Sequence, residues 1–304
     1  MAHDADADLL SLAHTALLKR LQILDKEADG VRLGADPEAV HRMRVAARRL
    51  RCALVLFADH LPPKKCARWL KETRRLTRAL GAARDTDVQL AFLDAVLQRP
   101  RPELAAATRP GIVRLRLRLQ QRRQRQQVKV VAALDRWQAH DVPSALAHAH
   151  ARHADAPTPS QQIAERLAHV QALAACVDHP EQVAELHALR IAVKHLRYAM
   201  EFFAPLYGEP WLASVATIRT FQEQLGAVHD CDVWQEFLPV FAADERARTL
   251  RYFGDTRAFH RLQPGLAYLQ ADRAAQRQAC FAAFSDSWQR SAADQLWRRL
   301  DALR

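Results

Sequence analysis

His41-Arg42-Met43-Arg44-Val45-Ala46-Ala47-Arg48-Arg49-Leu50-Arg51 returns 146 residues later as His187-Ala188-Leu189-Arg190-Ile191-Ala192-Val193-Lys194-His195-Leu196-Arg197. A second block, Leu80-Gly81-Ala82-Ala83-Arg84-Asp85-Thr86-Asp87-Val88, returns 145 residues later as Leu225-Gly226-Ala227-Val228-His229-Asp230-Cys231-Asp232-Val233. Two separate blocks at nearly one offset mark an internal duplication. The first block has helical periodicity. Met43, Ala47, Leu50, Leu54 and Phe57 form an apolar stripe, with cations beside it. The duplicated element is therefore an amphipathic helix anchored in a core.

The same period extends outward. Leu10, Leu17, Leu21 and Leu24 share a face of an earlier helix. Asp36-Pro37-Glu38 is a helix start, and the helix it opens runs to about Asp59 before Pro62-Pro63. Further helices are expected over about 64–97, with an irregularity near Gly81, and over about 111–140. A polar, Pro-bearing stretch, Val142 to Ser160, is the linker candidate. Beyond it, helices are expected over about 161–177, 180–207 and 210–238, then a short one near 243–255 and a long one ending near Arg304. Each half thus holds enough helices for one bundle. The expected architecture is all-α: two tandem four-helix bundles over residues 1–155 and 156–304.

Composition agrees. Ala and Leu number 57 and 40, against 24 for Val plus Ile, with only 8 Gly, which excludes an all-β or Gly-rich α/β protein as a first reading. The longest wholly apolar run, Cys52 to Ala58, is seven residues; a membrane span needs about 20. The N-terminus is acidic and lacks the cationic start of a signal peptide. Five scattered cysteines without a CxxC argue against a disulfide framework or thiolate zinc site. A reduced, cytoplasmic protein is expected.

Basic residues exceed acidic ones by 11, and 38 of the 45 are Arg, the side chain that grips planar anions through two parallel donors. His41, Arg44, Arg48 and Arg51 fall within an arc of about 80° and span about 15 Å of helix. His187, Arg190, Lys194 and Arg197 repeat the strip. Stacked like charges cost stability on an isolated helix, and the strip makes sense if an anion or neighbouring carboxylates lie across the face; the alternative is a solvated face, or Arg paired with Asp inside the bundle. Asp85, Asp87, Asp230 and Asp232 are read first as partners for nearby Arg or as helix caps, and second as metal ligands or acid–base groups. Gly81 and Gly226 suggest close helix approach. The segment Leu104 to Leu134 has no acidic residue and places Arg114, Arg118, Arg122 and Arg125 on one face; Arg273 and Arg277 are its weaker counterpart. His148, His150 and His153 are read as incidental linker composition rather than a metal site.

In these two blocks and their copies, the chain resembles the CHAD family, the conserved histidine α-helical domain. The resemblance implies two four-helix bundles related by pseudo-two-fold symmetry, with a basic surface or channel. It also implies binding of inorganic polyphosphate and association with polyphosphate granules; metal chelation or phosphoacceptance by the histidine is an older proposal for the family. Carried over by position, the implied contacts are His41, Arg44, Arg48, Arg51, His187, Arg190, Lys194 and Arg197. Lys194 replaces an Arg and loses the bidentate fork, and His229 stands opposite Arg84.

The leading expectation is a non-catalytic polyphosphate binder with no cofactor, no metal and no membrane partner. The alternatives are a nucleic-acid binder, for which no base-stacking motif is recognised, and a metal-chelating or phosphohistidine-accepting protein. Residues 1–155 hold 29 basic and 17 acidic side chains, and residues 156–304 hold 16 and 17. The first half is therefore expected to dominate binding.

Overall fold

The computed structural model describes residues 2–98, 106–140, 157–293 and 296–302. Helices α1 (Ala2–Leu33), α2 (Pro37–Leu56), α3 (Pro63–Gln98) and α4 (Arg109–Ala139) fall in the first half of the chain. Helices α5 (Pro159–Ala172), α6 (Val183–Phe203), α7 (Glu209–Phe253), α8 (Arg257–His260), α9 (Gln263–Ala293) and α10 (Leu296–Ala302) fall in the second. No strand occurs among the described residues, so the fold is all-α. The chain divides into two compact units, Met1–Ala95 with Leu117–Pro157, and Val96–Arg116 with Thr158–Arg304. The 155/156 boundary and His148, His150 and His153 lie outside the described residues.

In the first unit, the Asp36 side chain accepts the Glu38 N–H at 2.8 Å and Pro37 follows at the first helical position, so α2 starts where the sequence places it. Met43, Ala47, Leu50 and Leu54 of α2 are fully buried. Trp69 of α3 and Trp137 of α4 complete the core's large side chains. Gly34 ends α1 in the left-handed conformation (φ 67°) and returns its N–H to Gly30 O at 3.1 Å. Helix α3 passes through Gly81 unbroken.

In the second unit, Trp211 is buried and donates to Met200 O at 3.0 Å, and Phe221, Phe284 and Trp288 pack around one another. One expectation is overturned here. Pro239 stands inside α7, which continues to Phe253 as a single 45-residue helix rather than ending near Leu238. Leu238, Phe241, Glu245 and Thr249 carry one buried stripe across the proline. Packing of that stripe outweighs the roughly 3 kcal/mol that an interior proline costs.

A candidate anion-binding site on the repeated helices

In the first unit, α2 holds His41, Arg44, Arg48 and Arg51 beside its buried stripe, all four only partly exposed. Helix α3 supplies the opposite wall. The Arg44 guanidinium passes over Gly81, where a Cβ would meet Arg44 Nε at 3.8 Å, and donates to Asp85 Oδ1 at 3.4 Å. Arg84 donates to Glu38 Oε1 at 3.1 Å. The two helices thus bring the guanidinium groups of Arg44, Arg48 and Arg84 around His41, with the carboxylates of Glu38 and Asp85 paired to Arg84 and Arg44. Burial first, then the positive field of Arg84, holds the His41 pKa below its ordinary value, with Arg44 and Arg48 adding to the effect and Glu38 opposing it. His41 is therefore a neutral imidazole at pH 7. Its Nδ1 is buried without a hydrogen-bond partner.

Deeper in the same unit, Arg123 of α4 donates to Asp87 Oδ1 at 2.7 Å and to Gln127 Oε1 at 2.9 Å. Gln127 in turn donates to the carbonyl of Val31 at 2.7 Å, satisfying an orphan acceptor at the end of α1. One polar chain therefore joins three helices. Burial raises the Asp87 pKa despite the Arg123 partner, and Oδ2 of Asp87 has no hydrogen bond. A carboxyl raised in the folded state contributes stability below its unfolded pKa and loses it as pH rises through the folded value. The pair therefore positions α3 and α4 more than it stabilises them.

The second unit repeats the plan with changed parts. His187 of α6 faces His229 of α7, with Nδ1 atoms 3.2 Å apart and ring centroids 4.4 Å apart. Arg190 and Lys194 follow His187 along the strip, both partly buried. Arg197 is turned inward: it donates to Glu201 at 2.9 Å, and Arg219 reaches the same carboxylate at 3.1 Å. Asp232 and Arg277 form a buried ion pair, the counterpart of Asp87 and Arg123. Arg273 donates to Asp272 at 2.9 Å. Burial, then Arg190, lowers the His229 pKa to about 4. A histidine lowered on folding takes up its proton more readily when unfolded, so stability is full above about 6.5 and declines as pH falls toward 4. Urea unfolding from pH 7 to 4 should therefore show a steeper loss for the wild type than for His229→Gln. Equal slopes would contradict this.

Along α4, Arg114 reaches the buried Glu245 at 3.4 Å and Arg118 donates to Gln121 at 3.1 Å, while Arg122 and Arg125 are exposed. Asp85 partners Arg44, Asp87 partners Arg123 and Asp232 partners Arg277; Asp230 is exposed. No group of three or more His, Cys, Asp or Glu side chains placed to hold a metal occurs among the described residues.

Three residues escaped the sequence reading as site members: Arg84, Arg123 and His229. Arg84 and His229 occupy the variable position of the repeated Gly-containing block. Arg123 lies on the core phase of α4, in register with Ile112, Leu119 and Val130; an Arg on an apolar stripe calls for a buried carboxylate. The expected close approach at Gly81 and Gly226 is absent. The Gly81 Cβ site meets only Arg44, and the Gly226 site meets nothing within 4 Å. Close approach occurs instead at Gly111 and Gly265, both in the second unit. A Cβ on Gly111 would strike the Leu262 carbonyl, and one on Gly265 would strike that of Thr108. The signal was legible as a Pro-Gly pair opening both α4 and α9.

The CHAD domain family matches residues 15–239. Among solved structures, the CHAD domain from the plant Ricinus communis is similar at 26% identity, with a TM-score of 0.65 over 92% of this chain and 91% of that one. PptA from Streptomyces chartreusis shares the fold at 18% identity, with a TM-score of 0.67 over 92% of this chain and 98% of that one. No curated protein sequence matches the chain. No described helix is long and apolar enough to cross a membrane.

Proposed function

The chain belongs to the CHAD domain family, and from that premise we propose that it binds inorganic polyphosphate on the repeated cationic helices, without catalysing its turnover, and that it associates with polyphosphate granules in the cell. The observation that carries this reading is the convergence of His41, Arg44 and Arg48 from α2 with Arg84 from α3 on one patch. Guanidinium forks match phosphate oxygens bidentately. A polyanion lying across the patch would offer phosphate oxygens to this clustered set of guanidinium groups. Arg190 and Lys194 extend the set in the second unit, and the exposed Arg122 and Arg125 offer further charge along α4. Asp85, Asp87 and Asp232 serve as counter-ions in this reading.

Titration with long-chain polyphosphate across 50–300 mM salt tests it. Each phosphate contact should contribute about 0.7 to the slope of log affinity against log salt, so four contacts predict a slope near −3. Polyphosphate should displace DNA and RNA supplied at equal phosphate concentration. Preferential retention of either nucleic acid, or salt-independent binding, would overturn the proposal.

A further inference from the structure

We propose that His229 is a phosphate-contacting residue of the second unit, and that it becomes one by taking up a proton as the polyanion binds. The inference rests on the polyphosphate reading and deepens it. The position is the first support. His229 replaces Arg84 in the duplicated block, and each faces the histidine that opens its cationic strip, Arg84 beside His41 and His229 beside His187. Where the first unit holds a permanent charge, the second holds a titratable one.

The chemistry of the pair is the second support. Two Nδ1 atoms 3.2 Å apart form a hydrogen bond only if one carries hydrogen and the other accepts. In that neutral pair we assign the donor role to His229: the accepting His187 already carries its hydrogen on Nε2, whereas the Nε2 of His229 is bare and offers a phosphate oxygen nothing. One added proton converts it to an N–H donor and gives the pair a single positive charge. The balance is simple: one proton leaves solvent or buffer and one imidazole nitrogen gains it.

The surroundings set the direction. Arg190, His187 and Lys194 of α6 disfavour a positive charge on His229, as does burial; Asp232 on its own helix favours one, and Arg277 of α9 neutralises that carboxylate. The free protein therefore holds His229 neutral at pH 7, its pKa near 4. A phosphate chain lying against Arg190 and Lys194 cancels the two fixed charges that suppress the proton. Its own negative charge then raises the imidazole's proton affinity. Binding and protonation reinforce each other by linkage.

Calorimetry of the full chain with long-chain inorganic polyphosphate, at pH 5.5 and 7.5 in buffers of different ionisation heat, tests this. For a bound-state pKa of about 6 to 6.5, affinity should rise about four- to tenfold between pH 7.5 and 5.5, with proton uptake at the lower pH. Polyphosphate ends and the other histidines titrate too, so the result is read as a difference between variants. His229→Arg should bind more tightly at pH 7.5, flatten the pH response and lose the extra uptake. His229→Asn should lose the uptake without the gain in affinity, and it serves alone if the Arg variant does not fold. Unchanged pH response and uptake in folded His229→Asn would overturn the inference while leaving polyphosphate binding intact. Absence of wild-type binding at either pH would overturn the polyphosphate reading itself.

Discussion

Replacing Arg44, Arg48 and Arg51 together by Glu is expected to lower polyphosphate affinity by roughly 10³-fold near 100 mM salt. The triple variant removes three cations from one face of α2 and installs three anions there. Each reversal changes two unit charges and is worth about 1.4 kcal/mol at screened distances of several ångströms, so three make about 4 kcal/mol. The salt slope should fall by about 2 as three contacts disappear. Arg44→Glu also faces Asp85, so a thermal melt must accompany the binding measurement. Unaltered affinity in a folded triple variant would overturn the proposed site. The matched replacement of Arg190, Lys194 and Arg197 should cost less, about tenfold. Arg197 is already held by Glu201, and His229 supplies no charge at pH 7. Equal losses from the two triples would overturn the dominance of the first half.

Removing one member of the Asp87–Arg123 pair should have the largest effect on stability. Arg123→Leu leaves the Asp87 carboxylate buried without its counter-ion, releases Gln127 from its partner and loosens the cap on α1. Stranding a buried charge costs about 3–5 kcal/mol. The double variant Asp87→Leu with Arg123→Leu removes both charges and should recover most of that loss, because burial already works against the ionised Asp87. Urea denaturation of the two single variants and the double one completes the cycle. A double variant as unstable as Arg123→Leu would show that the pair contributes net stability rather than position.

The all-α class was legible because helical periodicity needs no partner: the apolar stripe of α2 can be counted along the chain. The cationic strip was legible for the same reason, since residues three and four apart share a helix face. The helix end expected near Leu238 is overridden because a proline's local cost at position 239 is a property of sequence, whereas the buried stripe from Leu238 to Thr249 depends on what packs across. The glycines of the repeated block were likewise read for helix contact. Whether a glycine is crowded depends on the neighbour, and Gly111 and Gly265 are the crowded ones.

The amino-acid sequence alone determined the helical class, the duplicated blocks, the two cationic strips and the charge difference between the halves, since each is a property of spacing and composition. Only the tertiary structure decided which cations face one another. It brought Arg84 to His41 and His229 to His187, turned Arg197 toward Glu201, and set Arg123 and Arg277 against buried carboxylates. Helical spacing fixes direction around a single axis. The choice between a phosphate-facing guanidinium and one committed to an internal carboxylate is made by the neighbouring helix, whose register no local pattern encodes.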